Sequence, residues 1–300
     1  VLYANTILSG MITIGINTMI SFLKFHKKLQ IVIIILLLLL ASAPFACSQR
    51  LTVRTYEIRS AKISQPLSFV QISDLHSCFY GENQTDLLDE IQTLSPDAVL
   101  LTGDIADDKT PDDGSIALLE GLSAMDCPVY YVTGNHEFRT GDIQRIYALF
   151  AAYGVHILRG SCETLEIRGQ RISLCGVDDP ALEGAGGQVG GWATQLAACD
   201  KAKAPDAFSI LLSHRPERTE AYAACSFDLV LAGHAHGGQW RIPGLLNGLI
   251  APHQGLFPSY AGGEYALGDT TLVVSRGLAK SAVPRIWNPP ELIAISVVPN

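Results

Sequence analysis

The feature of this 300-residue sequence that most restricts its fold is a series of short apolar runs, each followed at once by a cluster of polar residues. The runs have the length of strands and alternate with segments of helical periodicity, which predicts an α/β protein. The predicted strands before these clusters are residues 67–73, 98–102, 129–133, 209–212 and 229–232. Because ligands bind outside the carboxyl ends of strands in α/β sheets, we expect the five clusters to converge on one rim.

The flanking segments complete the predicted architecture. An amphipathic helix is predicted at 84–94, and a short polar join is predicted at 48–60. Strand-like runs at 264–267, 271–275 and 292–298 favour a second, more antiparallel sheet.

Aspartate and histidine dominate the five clusters, which contain five of the eight histidines. They are Asp74-Leu75-His76, Gly103-Asp104-Ile105-Ala106-Asp107, Gly134-Asn135-His136-Glu137, Ser213-His214 and Gly233-His234-Ala235-His236. In an extended segment, the alternating ligands of D-x-H and H-x-H would face the same side. Carboxylate, imidazole and amide ligands without a thiolate suit Mn, Fe or Zn better than they suit a cysteine-rich structural site.

The order of the clusters resembles the calcineurin-like metallophosphoesterase family, whose pattern runs D-x-H, G-D-x-x-D, G-N-H-E, H and G-H-x-H. Longer strings resemble the membrane-associated bacterial branch that includes YkuE- and YaeI-type phosphodiesterases; they lie at 233–241, 255–258, 275–277 and 288–292. The resemblance implies a sandwich of two mixed β-sheets flanked by helices, with two divalent metal ions above the strand ends.

The resemblance also implies a ligand set for each metal. The first would be held by Asp74, His76, Asp104 and His236, and the second by Asp104, Asn135, His214 and His234. Asp104 would bridge the two ions, which would share a hydroxide aimed at phosphorus.

Two further residues of the clusters receive roles from the resemblance. His136 would protonate the leaving group or stabilise the transition state, and Asp107 would orient it. Glu137 receives no role.

Six residues near the clusters keep two interpretations, substrate binding or plain structure: Asp178, Asp179, Trp240, Arg241, His253 and Arg276. Arg241 and Arg276 could pair with a phosphate oxygen, since an arginine fork matches that geometry. Trp240 and His253 lie in a stretch rich in glycine and proline, where long loops often shape a pocket.

The N-terminal 47 residues predict a membrane anchor or signal segment. Residues 29–47 carry no charge and contain the unbroken apolar run 31–40, which is about the length that spans a bilayer. Lys24, Lys27 and Lys28 precede this run and place the N-terminal flank in the cytoplasm. Pro44 disfavours signal cleavage after Ala43, so we expect an uncleaved single-pass anchor and an extracytoplasmic catalytic domain at 48–300.

Charge and cysteine spacing exclude other classes of protein. Every acidic residue lies beyond residue 47 and three of the 21 basic residues lie before it, so residues 48–300 carry 18 basic and 29 acidic side chains, a net charge of −11. This charge disfavours nucleic acid as a partner. The seven cysteines form no C-x-x-C pair, so a zinc ribbon is not supported, and their redox state stays open.

The sequence therefore predicts a metal-dependent phosphoester hydrolase, and we expect a phosphodiesterase that acts near the membrane on lipid-linked or cell-envelope phosphates. One alternative is a phosphomonoesterase or protein phosphatase. The other is a catalytically silent metal-binding module. The identity of the metals and the oligomeric state stay open.

Overall fold

The computed structural model describes residues 24–34, 42–184, 190–280 and 283–300. The chain divides into two compact units, Val1–Ala46 and Cys47–Asn300. In the first unit, residues 24–34 and 42–46 are helical. No helix among the described residues has the length and apolar character needed to cross a bilayer. The predicted anchor includes residues 35–41, which lie outside the described residues, so the anchor stays a prediction.

The second unit alternates strands and helices over most of its length. Its strands are β1 Thr52–Ser60, β2 Leu67–Ile72, β3 Ala98–Thr102, β4 Val129–Val132, β5 His156–Ile157, β6 Ser161–Ile167, β7 Gln170–Gly176, β8 Phe208–Leu212, β9 Leu229–Ala232, β10 Ile250–Ala251, β11 Gly255–Leu256, β12 Gly263–Leu267, β13 Thr270–Val274 and β14 Glu291–Pro299. Its α-helices are α1 Thr85–Leu94, α2 Asp113–Ser123, α3 Asn135–Arg139, α4 Ile143–Ala152, α5 Trp192–Ala202 and α6 Thr219–Ala224.

Two six-stranded mixed sheets form the centre of this unit. The first has the order β1-β14-β2-β3-β4-β5 and the second the order β12-β13-β9-β8-β7-β6. Strands β2, β3 and β4 run parallel to one another, as do β7, β8 and β9. The predicted sandwich of two mixed sheets is therefore confirmed.

Apolar side chains fill three layers of this sandwich. One cluster joins the inner faces of the two sheets, with Phe69 and Leu100 on one side and Ile210 on the other. Helices α1, α2 and α4 pack on the outer face of the first sheet, and α5 and α6 pack on that of the second. The central strands are apolar on both faces because both faces are buried.

Two predictions about which segments form the sheets are wrong. Residues 52–60 were predicted to be part of a polar join, but they form β1, an edge strand with mainly exposed side chains that pairs along its whole length with β14. The runs at 264–267, 271–275 and 292–298 were all predicted to belong to a second sheet. The first two correspond to β12 and β13 of the second sheet, but the third is β14, which lies between β1 and β2 in the first sheet. An exposed edge strand resembles a loop in composition, and an apolar run does not specify which distant strand it pairs with.

The second sheet also contains a disulfide. Cys162 on β6 and Cys175 on β7 stand directly opposite each other and are bonded, with a sequence separation of 13. Such a link restricts the unfolded chain and stabilises the folded one.

We predict that Cys175→Ser lowers the free energy of unfolding by about 3 kcal/mol under oxidising conditions, because the closed loop is lost from the unfolded chain. Urea unfolding with and without reductant measures this. Cys47→Ser, which changes an exposed free cysteine, is the control. Equal unfolding midpoints for the parent with and without reductant would contradict the prediction.

Candidate metal centre

The five polar clusters meet at one rim of the sandwich. They follow β2, β3 and β4 of the first sheet and β8 and β9 of the second, so both sheets contribute to the site. Their backbones approach so closely that side chains would not fit at some positions. A Cβ atom at Gly233 would lie 1.9 Å from Ser73 Oγ, and one at Gly134 would lie 2.2 Å from Asp104 Oδ1.

The backbone at the aspartates and histidines differs from the extended form that the alternating pattern predicted. Five predicted ligands have positive φ angles: Asp74 at 52°, His76 at 49°, Asp104 at 53°, His234 at 67° and His236 at 48°. The strands end before these residues, which lie in tight turns. Left-handed backbone at residues other than glycine costs of order 1 to 3 kcal/mol each and is concentrated at functional sites. The side chains converge because the chain turns, and the extended geometry was wrong.

The first group of predicted ligands is compact. One ligand atom from each of Asp74, His76, Asp104 and His236 lies within 4.8 Å of the others. His76 Nε2 is 3.7 Å from Asp104 Oδ2, and His236 Nε2 is 3.5 Å from Asp74 Oδ1.

The second group shares Asp104 with the first. Ligand atoms of Asp104, His214 and His234 also lie within 4.8 Å of one another. His214 Nε2 is 3.1 Å from Asp104 Oδ2 and 3.2 Å from His234 Nδ1. Asn135 is buried at the start of α3, and the next residue donates its backbone N–H to Asp104 Oδ1 at 2.8 Å. The geometry thus brings six of the seven predicted ligands into two groups, with Asp104 in the shared position. Asn135, the seventh, begins the helix whose His136 N–H holds Asp104.

Unpartnered polar atoms show that this centre suits cations. His76 Nε2 and Asn135 Oδ1 are buried and have no hydrogen-bond partner among the described residues, while the buried Asp104 Oδ2 faces His214 Nε2 at 3.1 Å. Buried polar atoms without partners are costly, so atoms left in this state together need another ligand. Carboxylate, imidazole and amide donors fit divalent ions such as Mn, Zn or Fe.

Neighbouring groups fix the orientation of the ligands. His214 Nδ1 donates to the Thr102 carbonyl at 2.8 Å, which leaves Nε2 facing Asp104. Asp74 accepts a hydrogen bond from Ser73 Oγ at 2.6 Å and one from the His234 backbone N–H at 3.0 Å. Such outer contacts hold each ligand atom in place before a metal binds.

Burial and mutual attraction set the charges of the metal-free centre. Burial opposes ionisation of Asp104, but His214 and His76 outweigh it and hold the pKa of this carboxyl well below its usual value. Burial also opposes protonation of His214, yet Asp104 raises its pKa to about 10. Burial lowers the pKa of His236 to about 4, so that this imidazole is neutral at neutral pH. Metal ligands must be deprotonated, so metal binding has to displace the His214 proton.

His136 lies beside the first group of ligands. Its ring meets the His76 ring edge to face at 4.4 Å between centroids. Its Nδ1 is 2.9 Å from Asp107 Oδ1, as the resemblance implied, and 2.5 Å from Asp108 Oδ1, which the sequence analysis missed. Asp107 Oδ1 also lies 3.0 Å from His76 Nδ1. The only sequence signal for Asp108 is that it directly follows Asp107.

Glu137 has a clear structural role that the sequence analysis did not derive. It is fully buried and accepts four backbone hydrogen bonds, from Gly134 at 2.9 Å, Asp104 at 3.0 Å, Ile105 at 2.7 Å and Ala106 at 3.1 Å. Its carboxylate therefore joins the loop after β3 to the loop after β4 and holds the backbone of the shared ligand Asp104.

Asp178 is a structural residue. Its fully buried carboxylate accepts hydrogen bonds from Thr133, Tyr147, Arg159 and Gln195 at 2.8 to 3.2 Å. A carboxylate with this many partners favours the plain structural interpretation over substrate binding.

Asp179 links the second group of ligands to an arginine that the sequence analysis missed. It forms a buried two-point pair with Arg215, at 2.5 and 2.8 Å. Arg215 Nη1 lies 2.6 Å from His253 Nδ1 and 3.1 Å from His234 Nε2. His253 Nδ1 is itself 2.9 Å from His234 Nε2, so it faces the side of this ligand that points away from His214. Arg215 directly follows His214 in the sequence, which is its only signal.

The two arginines considered for phosphate binding have structural partners. Arg276 pairs with Glu291 at 2.7 Å, and Arg241 Nε donates to the Asn247 carbonyl at 3.1 Å. Trp240 Nε1 donates to the Pro284 carbonyl at 3.0 Å, while its ring stays partly exposed. These contacts favour the structural interpretation of Arg241 and Arg276.

We predict that Glu137→Gln lowers the free energy of unfolding by about 3 kcal/mol and weakens metal binding. The substitution replaces one of the two accepting oxygens with an amide nitrogen, so the backbone N–H groups that faced this oxygen lose their acceptor. Urea unfolding and metal content per chain measure the two effects. Glu163→Gln, at an exposed carboxylate beside His156, is the matched control. Unchanged stability and metal content in Glu137→Gln would contradict the role given to this residue.

Comparison with known proteins agrees with the geometry. YpbG of Bacillus subtilis is 27% identical over 254 residues, covering 82% of this chain and 86% of that protein. The metallophosphoesterase YkuE of Bacillus subtilis is 29% identical over 76% of this chain and 78% of its own. A bovine protein described as a transmembrane protein with metallophosphoesterase domain is 28% identical, covering 73% of this chain and 50% of its own. The model of the calcineurin-like phosphoesterase family matches residues 67–238, more than half of the sequence, and the chain belongs to this family.

Proposed function

We propose that this phosphoester hydrolase is a phosphodiesterase that uses two divalent metal ions and acts on lipid-linked or cell-envelope phosphates close to a membrane. The observation that carries the proposal is the convergence of six predicted ligands into two groups that share Asp104. In addition, the buried His76 Nε2 and Asn135 Oδ1 lack partners among the described residues. The first ion would be held by Asp74, His76, Asp104 and His236, and the second by Asp104, Asn135, His214 and His234. Such ions act as Lewis acids on the phosphoryl oxygens and lower the pKa of water.

The residues around the ions have distinct tasks in this proposal. Asp104 stays in the shared position because Glu137 and the His136 backbone N–H hold it. The Asp107 and Asp108 carboxylates lie 2.9 and 2.5 Å from His136 Nδ1 and orient the ring, whose Nε2 would donate a proton to the leaving oxygen. The exposed Arg139 guanidinium lies 3.0 Å from that Nε2 and can only donate, so Nε2 accepts its hydrogen bond in this structure. Proton donation to the leaving oxygen would therefore require Arg139 to turn from Nε2 toward the anionic ester.

The membrane part of the proposal rests on the sequence. The apolar run 31–40 follows three lysines, and a bovine relative is described as a transmembrane protein. We propose a single-pass anchor within residues 1–47 and an extracytoplasmic catalytic domain. The few residues between residue 47 and β1 would keep the site within tens of ångströms of the bilayer, at roughly 3.3 Å per extended residue.

We predict metal-dependent hydrolysis of an artificial aryl phosphodiester by the full chain, purified without metal and resupplied with Mn, Zn, Fe or Mg, because the two ligand groups need cations to act. Release of the aryl alcohol measures turnover, and the diester is compared with the matching monoester. Asp74→Asn is expected to lose the activity. Faster turnover of the monoester would favour a phosphomonoesterase, and bound metal without any turnover of either ester would favour a silent module.

We predict that His136→Ala keeps its metals and lowers turnover by about two to four orders of magnitude, as expected for loss of a general acid. Metal content per chain and turnover of the aryl diester measure the two quantities. His156→Ala, which changes an exposed histidine paired with Glu163, is the control. Loss of both metals in His136→Ala would show that this residue is a ligand.

A further inference from the structure

One loop beside the metal centre exposes an unusual amount of apolar surface. We call residues 239–257 the apolar loop. Leu245 is 82% exposed, and Leu256 and Phe257 are each 65% exposed. Trp240, Ile242 and Ile250 add exposed surface of the same kind. Several large apolar side chains exposed on one surface segment are typical of an interaction site.

The outward position of these side chains is built into the loop. Its polar side chains turn inward to hold backbone groups: Asn247 donates to the Gly262 carbonyl at 2.8 Å and Gln254 to the Tyr260 carbonyl at 3.0 Å. The Leu249 N–H donates to the Gly238 carbonyl at 2.8 Å. These polar groups thus hold the loop to the backbone that flanks it, and the apolar side chains face outward.

The region around the apolar loop lacks the acidic residues that are common in the rest of the chain. The sequence contains 29 acidic residues, yet none lies between Asp228 and Glu264, a stretch that contains the whole apolar loop. None lies between Asp269 and Glu291 either, where Lys280 is exposed. The loop therefore carries no carboxylate that an anionic surface would repel.

A groove connects the apolar loop to the metal centre. Its volume is about 460 Å³, and its walls include His236, Ile250, Pro252 and His253. His236 belongs to the first group of predicted ligands, so a phosphate held there would have its substituent directed along mainly apolar walls.

We propose that the apolar loop docks on the surface of a lipid bilayer and brings the metal centre to phosphoesters in that surface. Exposed tryptophan, phenylalanine and leucine side chains on a segment that has no carboxylate of its own fit the interface between headgroups and acyl chains. This docking is a property of residues 239–257 and is separate from the predicted N-terminal anchor. It rests on the proposed function for its purpose, but not for its measurement.

Contact with lipid is tested by tryptophan quenching. The full chain is mixed with vesicles of phosphatidylcholine and phosphatidylglycerol whose acyl chains are brominated, and with matched vesicles without bromine. Because bromine quenches on contact, the emission of Trp240 falls only if the loop enters the bilayer, whether or not the N-terminus inserts. Trp240→Phe identifies the quenched fraction. Leu245→Asp is expected to abolish the quenching, and Val53→Asp, at a 39% exposed site on the edge strand β1, is expected to keep it.

Turnover gives the second measurement. The ratio of turnover on a phosphodiester lipid in vesicles to turnover on a soluble aryl phosphodiester is expected to fall by about tenfold or more in Leu245→Asp and to stay unchanged in Val53→Asp.

Three results would overturn the docking. Equal Trp240 emission in both kinds of vesicle, with full turnover of the soluble diester, rejects the docking and leaves the proposed function intact. Trp240 emission per chain that changes with protein concentration but not with added lipid assigns the surface to a second copy of the chain. An unchanged ratio of lipid turnover to soluble-diester turnover in Leu245→Asp would show that the loop does not bring the metal centre to its substrate. Quenching without hydrolysis of either the soluble diester or the vesicle lipid rejects the proposed function while supporting the docking.

Discussion

Four backbone N–H groups from two separate loops meet at the buried carboxylate of Glu137, and the geometry of the metal centre depends on this contact. The loop after β3 carries Asp104, and the loop after β4 carries Asn135 and His136. Without a common acceptor, buried N–H groups at both loops would lack partners, and the left-handed backbone at Asp104 would lose one of the contacts that hold it. The conformation that places the shared ligand is thus stabilised by a residue that does not bind metal.

The second sheet supplies its ligands through a similar arrangement. The carbonyl of His236 accepts hydrogen bonds from Asn288 at 2.7 Å and from Arg285 at 3.2 Å. Arg285 also donates to the Gly277 carbonyl at 3.0 Å. The strings around 275–277 and 288–292 therefore support the H-x-H turn from behind, which explains why they accompany the metal-binding clusters in this sequence.

Much of the site could be predicted from the sequence, because its ligands follow strands whose apolar runs are clear. β3 and β9 have the predicted bounds, and the clusters after them lie where parallel strand ends must meet. Glu137 and Arg215 could not be predicted, since their roles depend on contacts between distant loops. The pairing of β1 with β14 was missed for the same reason, because strand register across more than two hundred residues leaves no local signal.

In the proposed function, Asp104 joins two metal ions into one centre. The most direct measurement is manganese content per chain together with the electron paramagnetic resonance spectrum of the manganese-loaded full chain. We expect two ions with the exchange coupling of a bridged pair in the unsubstituted chain, and loss of that coupling in Asp104→Asn. Two uncoupled ions in the unsubstituted chain, or a coupled pair that persists in Asp104→Asn, would show that Asp104 does not join the ions.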